Sequence, residues 1–208
     1  MIHTFERRVR PTGSSRAAVG GRRRSAVGPV RYDRTGAWFG RVDERWNRRA
    51  GGTLDDVPRL EPFDVDFFDS APQRRSYVLD LPVSPERVWR GLAASNPLWW
   101  CRLLSSVEYT SPRPFGVGTT RTAAVLGVLR LREVFIRWEE GRRQSFLVDR
   151  ANLPVYRRFG EDYLVERSGE GSRLTWTFAY EPGLKVGDRL NVLVFDSLVA
   201  DTRRHFGG

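Results

Sequence analysis

Two carboxylates sit among residues that would otherwise read as core. In "VLRLREVFIRWEE", Leu129, Leu131, Glu133 and Phe135 fall on alternate positions, and in "RFGEDYLVERS" so do Phe159, Glu161, Tyr163 and Val165. A strand turns alternate side chains to one face, so each carboxylate shares its face with apolar neighbours. A carboxyl facing an apolar space holds its proton more tightly, which suits it to act as general acid or base on a carbonyl substrate. Glu133 and Glu161 are therefore the catalytic candidates. The competing reading is structural: a buried ion pair with Arg121, Arg132 or Arg158, or an outward face on a twisted sheet. Other chemistries lack parts. Histidine occurs only as His3 and His205, and cysteine only as Cys101, so a Ser/His/Asp triad, a histidine metal site and an internal disulfide are not expected. Cys101 follows two tryptophans and reads as a small packed hydrophobe.

The run "PRPFGVGTTRT", residues 112–122, poses a second chemical question. A phosphate cradle needs glycines, a terminal Lys with Ser or Thr, and then a helix whose N-terminal amides face the anion. No Lys follows, and the next residues are rich in β-branched and aromatic types. Gly116 and Gly118 are expected to turn the chain between two strands.

The elements that must position these residues can be read from periodicity. "SYVLDLPV" sets Tyr77, Leu79 and Leu81 against Val78 and Asp80, a strand with one buried face. "SPERVWRGLAA" opens with Ser84 as N-cap and Pro85 at the first helical position, and "NPLWWCRLL" predicts a second short helix capped by Asn96. Six strands follow, separated by turn material such as "EEGRR" and "SGEGS". A helix from about Leu184 to Phe206 closes the chain, with Val186, Leu190, Leu193, Val194 and Leu198 in one apolar stripe. The class is α+β: a curved antiparallel sheet wrapped around a long C-terminal helix, with two short helices after the first strand. Such a sheet and helix enclose a space that is either a ligand cavity or a filled core. The residues expected to bind a ligand there are Leu131, Glu133, Phe135, Phe146, Tyr163, Trp176, Phe178, Leu190 and Val194, with "ANLPVY" as a lid over the mouth.

Charge divides the chain. Residues 1–50 hold 13 Arg and 4 acidic residues, a net of +9, while residues 51–208 hold 22 basic and 21 acidic, a net of +1. The overall +10 thus belongs to the first quarter of the 208 residues. Residues 1–50 read as a disordered Arg-rich tail, 51–74 as an acidic lead-in whose Phe63, Phe67 and Phe68 pack on the domain surface, and 75–208 as the folded domain. Trp38, Phe39 and Trp46 among the tail arginines could stack on nucleic acid, but a solvated tail docking its aromatics on the domain is the stronger reading. No apolar run reaches the roughly 18 residues of a membrane span, and no secretory core is visible, so a cytoplasmic protein is expected.

Four stretches carry a family resemblance: "LPVSPERVWRGLAA", "VEYTSPRPFGVGTTRT", "REVFIRWEEGRRQSFLV" and "RRFGEDYLVERSGEGSRLTWTFAYEP". Over about residues 72–206 the chain resembles the helix-grip fold of the START-like superfamily, also called SRPBCC, and within it bacterial polyketide cyclase/dehydrase-like proteins. The resemblance implies a cavity between sheet and helix that binds a small hydrophobic molecule such as a lipid or polyketide, with a polyketide aromatase/cyclase on the same scaffold as the alternative. It implies no cofactor. It leaves the oligomeric state open, a homodimer included.

Overall fold

Burial alternates along the first and third strands but is continuous through the middle of the last three, and the connections from the second strand onward keep successive strands side by side. The structure is a computed structural model that describes residue 57 and residues 59–183 and 188–207. The Arg-rich tail and Val186 of the expected helix stripe lie outside the described residues. In chain order the elements are α1 (Phe67–Ser70), β1 (Gln73–Leu81), α2 (Pro85–Leu92), β2 (Leu104–Tyr109), β3 (Thr120–Val125), β4 (Leu129–Glu139), β5 (Arg143–Ala151), β6 (Tyr156–Ser168), β7 (Gly171–Pro182) and α3 (Asp188–Gly207). The seven strands form one antiparallel sheet in the order β1-β7-β6-β5-β4-β3-β2. β1 and β2 are therefore opposite edges, and α2 with the turns after it carries the chain from one edge to the other. Register shifts within β4, at Arg132/Glu133 and Phe135/Arg137, bend the sheet where Glu133 sits. This is the curved antiparallel sheet and C-terminal helix expected from the sequence.

Two local expectations change. α2 forms as read, with Ser84 in extended geometry and Pro85 in the first turn. The segment after Asn96, expected to be a second short helix, is a succession of turns. Leu98 lies in the left-handed region with φ 57°, and three-residue hydrogen bonds from Cys101 N to Leu98 O (2.8 Å) and Leu104 N to Cys101 O (3.0 Å) replace the four-residue helical ladder. That backbone turn buries Leu98. In α3 the buried side is Phe195, Leu198, Val199, Thr202 and Phe206, at helical spacing. Leu193 of the expected stripe is 66% exposed instead.

Polar contacts lock α3 across the sheet's concave face. Asp188, in its first turn, accepts hydrogen bonds from Arg75 of β1 and Tyr180 of β7, which also places a negative charge at the positive end of the helix dipole. Tyr77 donates to Asp196 (2.8 Å), Tyr156 to Asn191 (2.7 Å), and Trp100 Nε1 to Thr202 (2.9 Å). The helix is thus held to β1, β6, β7 and the 97–102 turns along its length.

The lead-in does more than pack on the surface. β5 and β6 pair only as far as Leu147 and Gly160; beyond that point Leu60 N bonds to Asp149 O and Glu61 N to Arg157 O, bridging the opening. Leu60 joins the main core. Phe63, Phe67 and Phe68 cover Ala179 and Ile136 on the opposite, outer face of the sheet, with the Arg158 guanidinium 4.6 Å from the Phe67 ring centre. Gly160 makes this fit: a Cβ there would lie 2.4 Å from Phe146 O and 2.6 Å from the Phe63 ring. Gly160→Ala should therefore destabilise the protein by about 1–3 kcal/mol, as overpacking does. A urea unfolding midpoint unchanged by the substitution would show that the β5 backbone and the Phe63 ring both yield freely.

Candidate functional site

The sheet and α3 do not close completely on each other. Between them lies a cavity of about 330 Å³. β2 contributes Leu104 and Val107, β3 contributes Ala123 and Val125, and β4 contributes Leu129 and Leu131. Tyr156 and Phe159 of β6 and Leu190, Asn191, Val194, Phe195 and Leu198 of α3 form the facing wall. Leu126 and Val128 at the tip of the β3–β4 hairpin, Leu153 in the β5–β6 loop and Leu190 border the cavity and are also exposed, which marks them as its mouth. Leu153, Pro154 and Val155 are the segment read as a lid, and both Leu153 and Val155 border the cavity.

The inner end is polar. Arg121, Glu133, Glu161 and Tyr163 meet there beside Trp176. Antiparallel register sets Arg121 of β3 directly opposite Glu133 of β4, and Arg121 Nε donates to Glu133 Oε2 with both side chains buried. The guanidinium carbon is 4.8 Å from the Phe146 ring centre, 5.2 Å from Phe135 and 5.6 Å from Tyr109, so aromatic faces as well as the carboxylate offset its lost hydration. Burial works against this charge, but Glu133 more than reverses the effect and holds the guanidinium above its ordinary value. Burial likewise pushes the Glu133 carboxyl up, and Arg121 pulls against it.

Glu161 differs from Glu133 in having no cationic partner in direct contact. Its Oε2 accepts from Tyr163 OH and from Trp176 Nε1 (2.9 Å). Burial pushes its carboxyl up to about 7, helped by the Glu133 charge and opposed by those two hydrogen bonds and by Arg121. Near neutral pH Glu161 can therefore either give or take a proton at the cavity wall.

Of the residues expected to bind a ligand, Leu131, Glu133, Tyr163, Trp176, Leu190 and Val194 border the cavity, as does the candidate Glu161. Phe135, Phe146 and Phe178 do not border it. All three are fully buried behind the wall, where Phe178 stacks on Phe195 (ring centres 4.0 Å apart) and Phe135 and Phe146 sit beside Arg121. Facing inward on a curved sheet thus puts some side chains at the cavity and others in the packed layer around it. Sequence reasoning gave Arg121 only as an ion-pair partner, although Arg121, Ala123 and Val125 alternate on one face of β3. It missed Leu98, whose approach depends on a left-handed backbone.

Cys101 is buried, with its thiol pushed up to about 12 by burial, which leaves it inert as a nucleophile. Among the described residues no group of three His, Cys, Asp or Glu converges to hold a metal ion. No described helix is long and apolar enough to cross a membrane. Gly118 takes φ 87° in the β2–β3 connection, in keeping with the turn read from "GVGTT".

The sequence and the fold are similar to those of known proteins. The sequence profile of the family described as "Polyketide cyclase / dehydrase and lipid transport" matches residues 74–204. An uncharacterized protein of Mycobacterium tuberculosis is 36% identical over 121 residues, covering 57% of this chain and 72% of that protein. Among solved structures, a START superfamily protein from Mycobacterium smegmatis superposes with a TM-score of 0.56 at 10% identity, covering 64% of this chain and 96% of that one. Ginseng major latex-like protein 151 from Panax ginseng does so with a TM-score of 0.51 at 14% identity, covering 64% and 97%. Likeness at such low identity establishes the helix-grip fold alone. The profile match spans well over half of the chain, and on that ground the protein belongs to the polyketide cyclase/dehydrase and lipid transport family.

Proposed function

We propose that the protein binds one small hydrophobic molecule, a lipid or polyketide-like compound, in the cavity between the sheet and α3. The observation that carries this reading is the form of the cavity: apolar walls, an apolar mouth and one polar end. Its volume of about 330 Å³ is at the lower end of the range for ligand pockets, about 300–1,000 Å³. That favours a single chain or a small ring system as the enclosed part. Burial at about 25 cal/mol per Å² of apolar surface supplies the drive, less the cost of association, and Glu133, Glu161 and Tyr163 orient the polar part. Native mass spectrometry of the purified protein, with organic extraction of what accompanies it, tests for a stoichiometric hydrophobic adduct. Ala123→Phe provides the site-specific check, because Ala123 lies on the wall and the added ring occupies the cavity. It should weaken binding of an apolar fluorescent reporter at least about tenfold, equivalent to about 1.4 kcal/mol, with the unfolding midpoint little changed. Undiminished affinity would move the binding place elsewhere.

A second reading, catalysis of the aromatase/cyclase kind, is favoured by Glu161 alone, whose proton is exchangeable near neutral pH at the cavity wall. Under that reading Glu161→Gln abolishes turnover of a polyketide-like substrate while leaving its binding intact. Loss of both together indicates that Glu161 only supports the wall.

A further inference from the structure

Of the buried side-chain polar atoms that lack a hydrogen-bond partner among the described residues, Arg121 Nη1 is the one on a residue that lines the cavity. Arg121 Nε is taken by Glu133, but Arg121 Nη1 is buried without a hydrogen-bond partner among the described residues. A buried charged N–H group left unpaired is costly, and structures rarely keep one without a reason. The side chain is 1% exposed and confined by the rings of Phe135, Phe146 and Tyr109, so it cannot swing out to water. It does border the cavity. Two other donors at this end are in use, since Tyr163 OH and Trp176 Nε1 both point to Glu161 Oε2.

The charges narrow what could satisfy that donor. Glu133 already neutralises Arg121, and Glu161 adds a second carboxyl beside it. With Glu161 protonated, as it is below about pH 7, an anionic head group would find no net positive charge and a cationic one no net negative charge. An uncharged acceptor oxygen avoids both penalties.

Resting on the hydrophobic-ligand reading above, we infer that the cavity selects amphiphiles whose buried end is an uncharged carbonyl group, and that Arg121 sets this specificity by donating from Nη1. A carbonyl oxygen supplies the missing acceptor, while a hydrocarbon end leaves the N–H unpaired and a charged end upsets the balance with Glu133. Discrimination of this kind is large because it is set by the group left unpaired when the wrong ligand binds.

The test compares methyl undecyl ketone with its isostere, in which a methylidene group replaces the carbonyl, and with dodecylammonium, by displacement of N-phenylnaphthylamine from the full-length protein. Affinities are referred to transfer from hexadecane, so that water's own preference for the ketone cancels. The ketone is expected to bind at least about tenfold more tightly than the alkene, the scale of a hydrogen bond to a charged donor, with dodecylammonium weakest. The double variant Arg121→Met/Glu133→Leu removes the pair without stranding a charge, a change that folds tolerate. It should lose the ketone preference, binding ketone and alkene within about threefold of each other. Equal binding of ketone and alkene by the wild type, or a ketone preference that survives in the double variant, overturns the inference while leaving the cavity as a hydrophobic site. Binding of no probe at all defeats the hydrophobic-ligand reading itself, and this inference with it.

Discussion

Arg121→Met is expected to cost roughly 3–5 kcal/mol of folding stability, the cost of stranding one member of a buried ion pair. Removing the guanidinium leaves Glu133, 3% exposed, with no cation to offset its lost hydration. The protein can relieve this only by protonating the carboxyl or admitting water, and neither restores the cation–ring contacts with Phe135 and Phe146. Arg121→Met/Glu133→Leu removes both charges and should come within about 1 kcal/mol of the wild type, because well-packed apolar side chains replace such pairs at little cost. The contrast between single and double variants is the signature, rather than either value alone. An exposed pair gives the reference. Arg142 and Glu139 are 56% and 42% exposed, and Arg142→Ala should shift stability by no more than about 0.5 kcal/mol. Urea unfolding midpoints of the four proteins decide the matter: an Arg121→Met effect as small as that of Arg142→Ala would mean that the Glu133 carboxylate is solvated after all.

The parts of this site that were legible in the sequence are those set by a strand's period of two. Glu133 and Glu161 were placed on inward faces because their neighbours alternate, and both line the cavity. The same rule could not separate lining from packing. Phe135 lies two residues beyond Glu133 on the same strand and face, yet the bends in β4 put it behind the wall. Depth on a curved sheet depends on where along the strand a residue falls, which local pattern does not encode. The rotation of α3 escaped for a related reason. Leu190 and Leu193 look like core by spacing, but Leu190 borders the open mouth and Leu193 faces out, because the cavity spares that end of the helix from full burial. "NPLWW" carries a genuine helix-start signature, and it was overridden by tertiary structure that holds Leu98 in a left-handed conformation. Leu60, one leucine in an acidic stretch, gave no local sign that it would enter the core where β5 and β6 part.

The second large effect follows from Glu161 and runs opposite to the usual behaviour of a carboxylate. Its carboxyl titrates at about 7 in the folded protein, against an ordinary value of 4.5. Below about pH 4.5 the folded and unfolded chains both hold this proton. As pH rises from there to about 7, the unfolded chain releases it while the folded chain keeps it, so the stability contributed by this group falls, and above about 7 the loss is complete. The shift corresponds to roughly 3 kcal/mol between pH 4.5 and pH 8. The groups around it are Glu133, Arg121 and Tyr163, with Tyr156 and Cys101 close enough to feel its charge. Of these only Glu133 shares the direction, since burial raises it too, while Tyr156, Tyr163 and Cys101 keep their protons well above that range. His205 works the other way, because burial lowers its value below 6.5 and its contribution therefore rises with pH. The informative measurement is thus the difference between the wild type and Glu161→Gln in urea melts at pH 5 and pH 8. Gln keeps an acceptor for Tyr163 and Trp176 but cannot ionise. The variant should match the wild type at pH 5 and exceed it at pH 8, and parallel pH profiles for the two proteins would mean that the Glu161 proton is not held by the cavity wall. The same proton bears on binding. Above about pH 7 the ionised Glu161 brings a second negative charge to the polar end, so an uncharged ligand held there should bind more weakly to the wild type at pH 8 than at pH 6, and no such change should appear in Glu161→Gln.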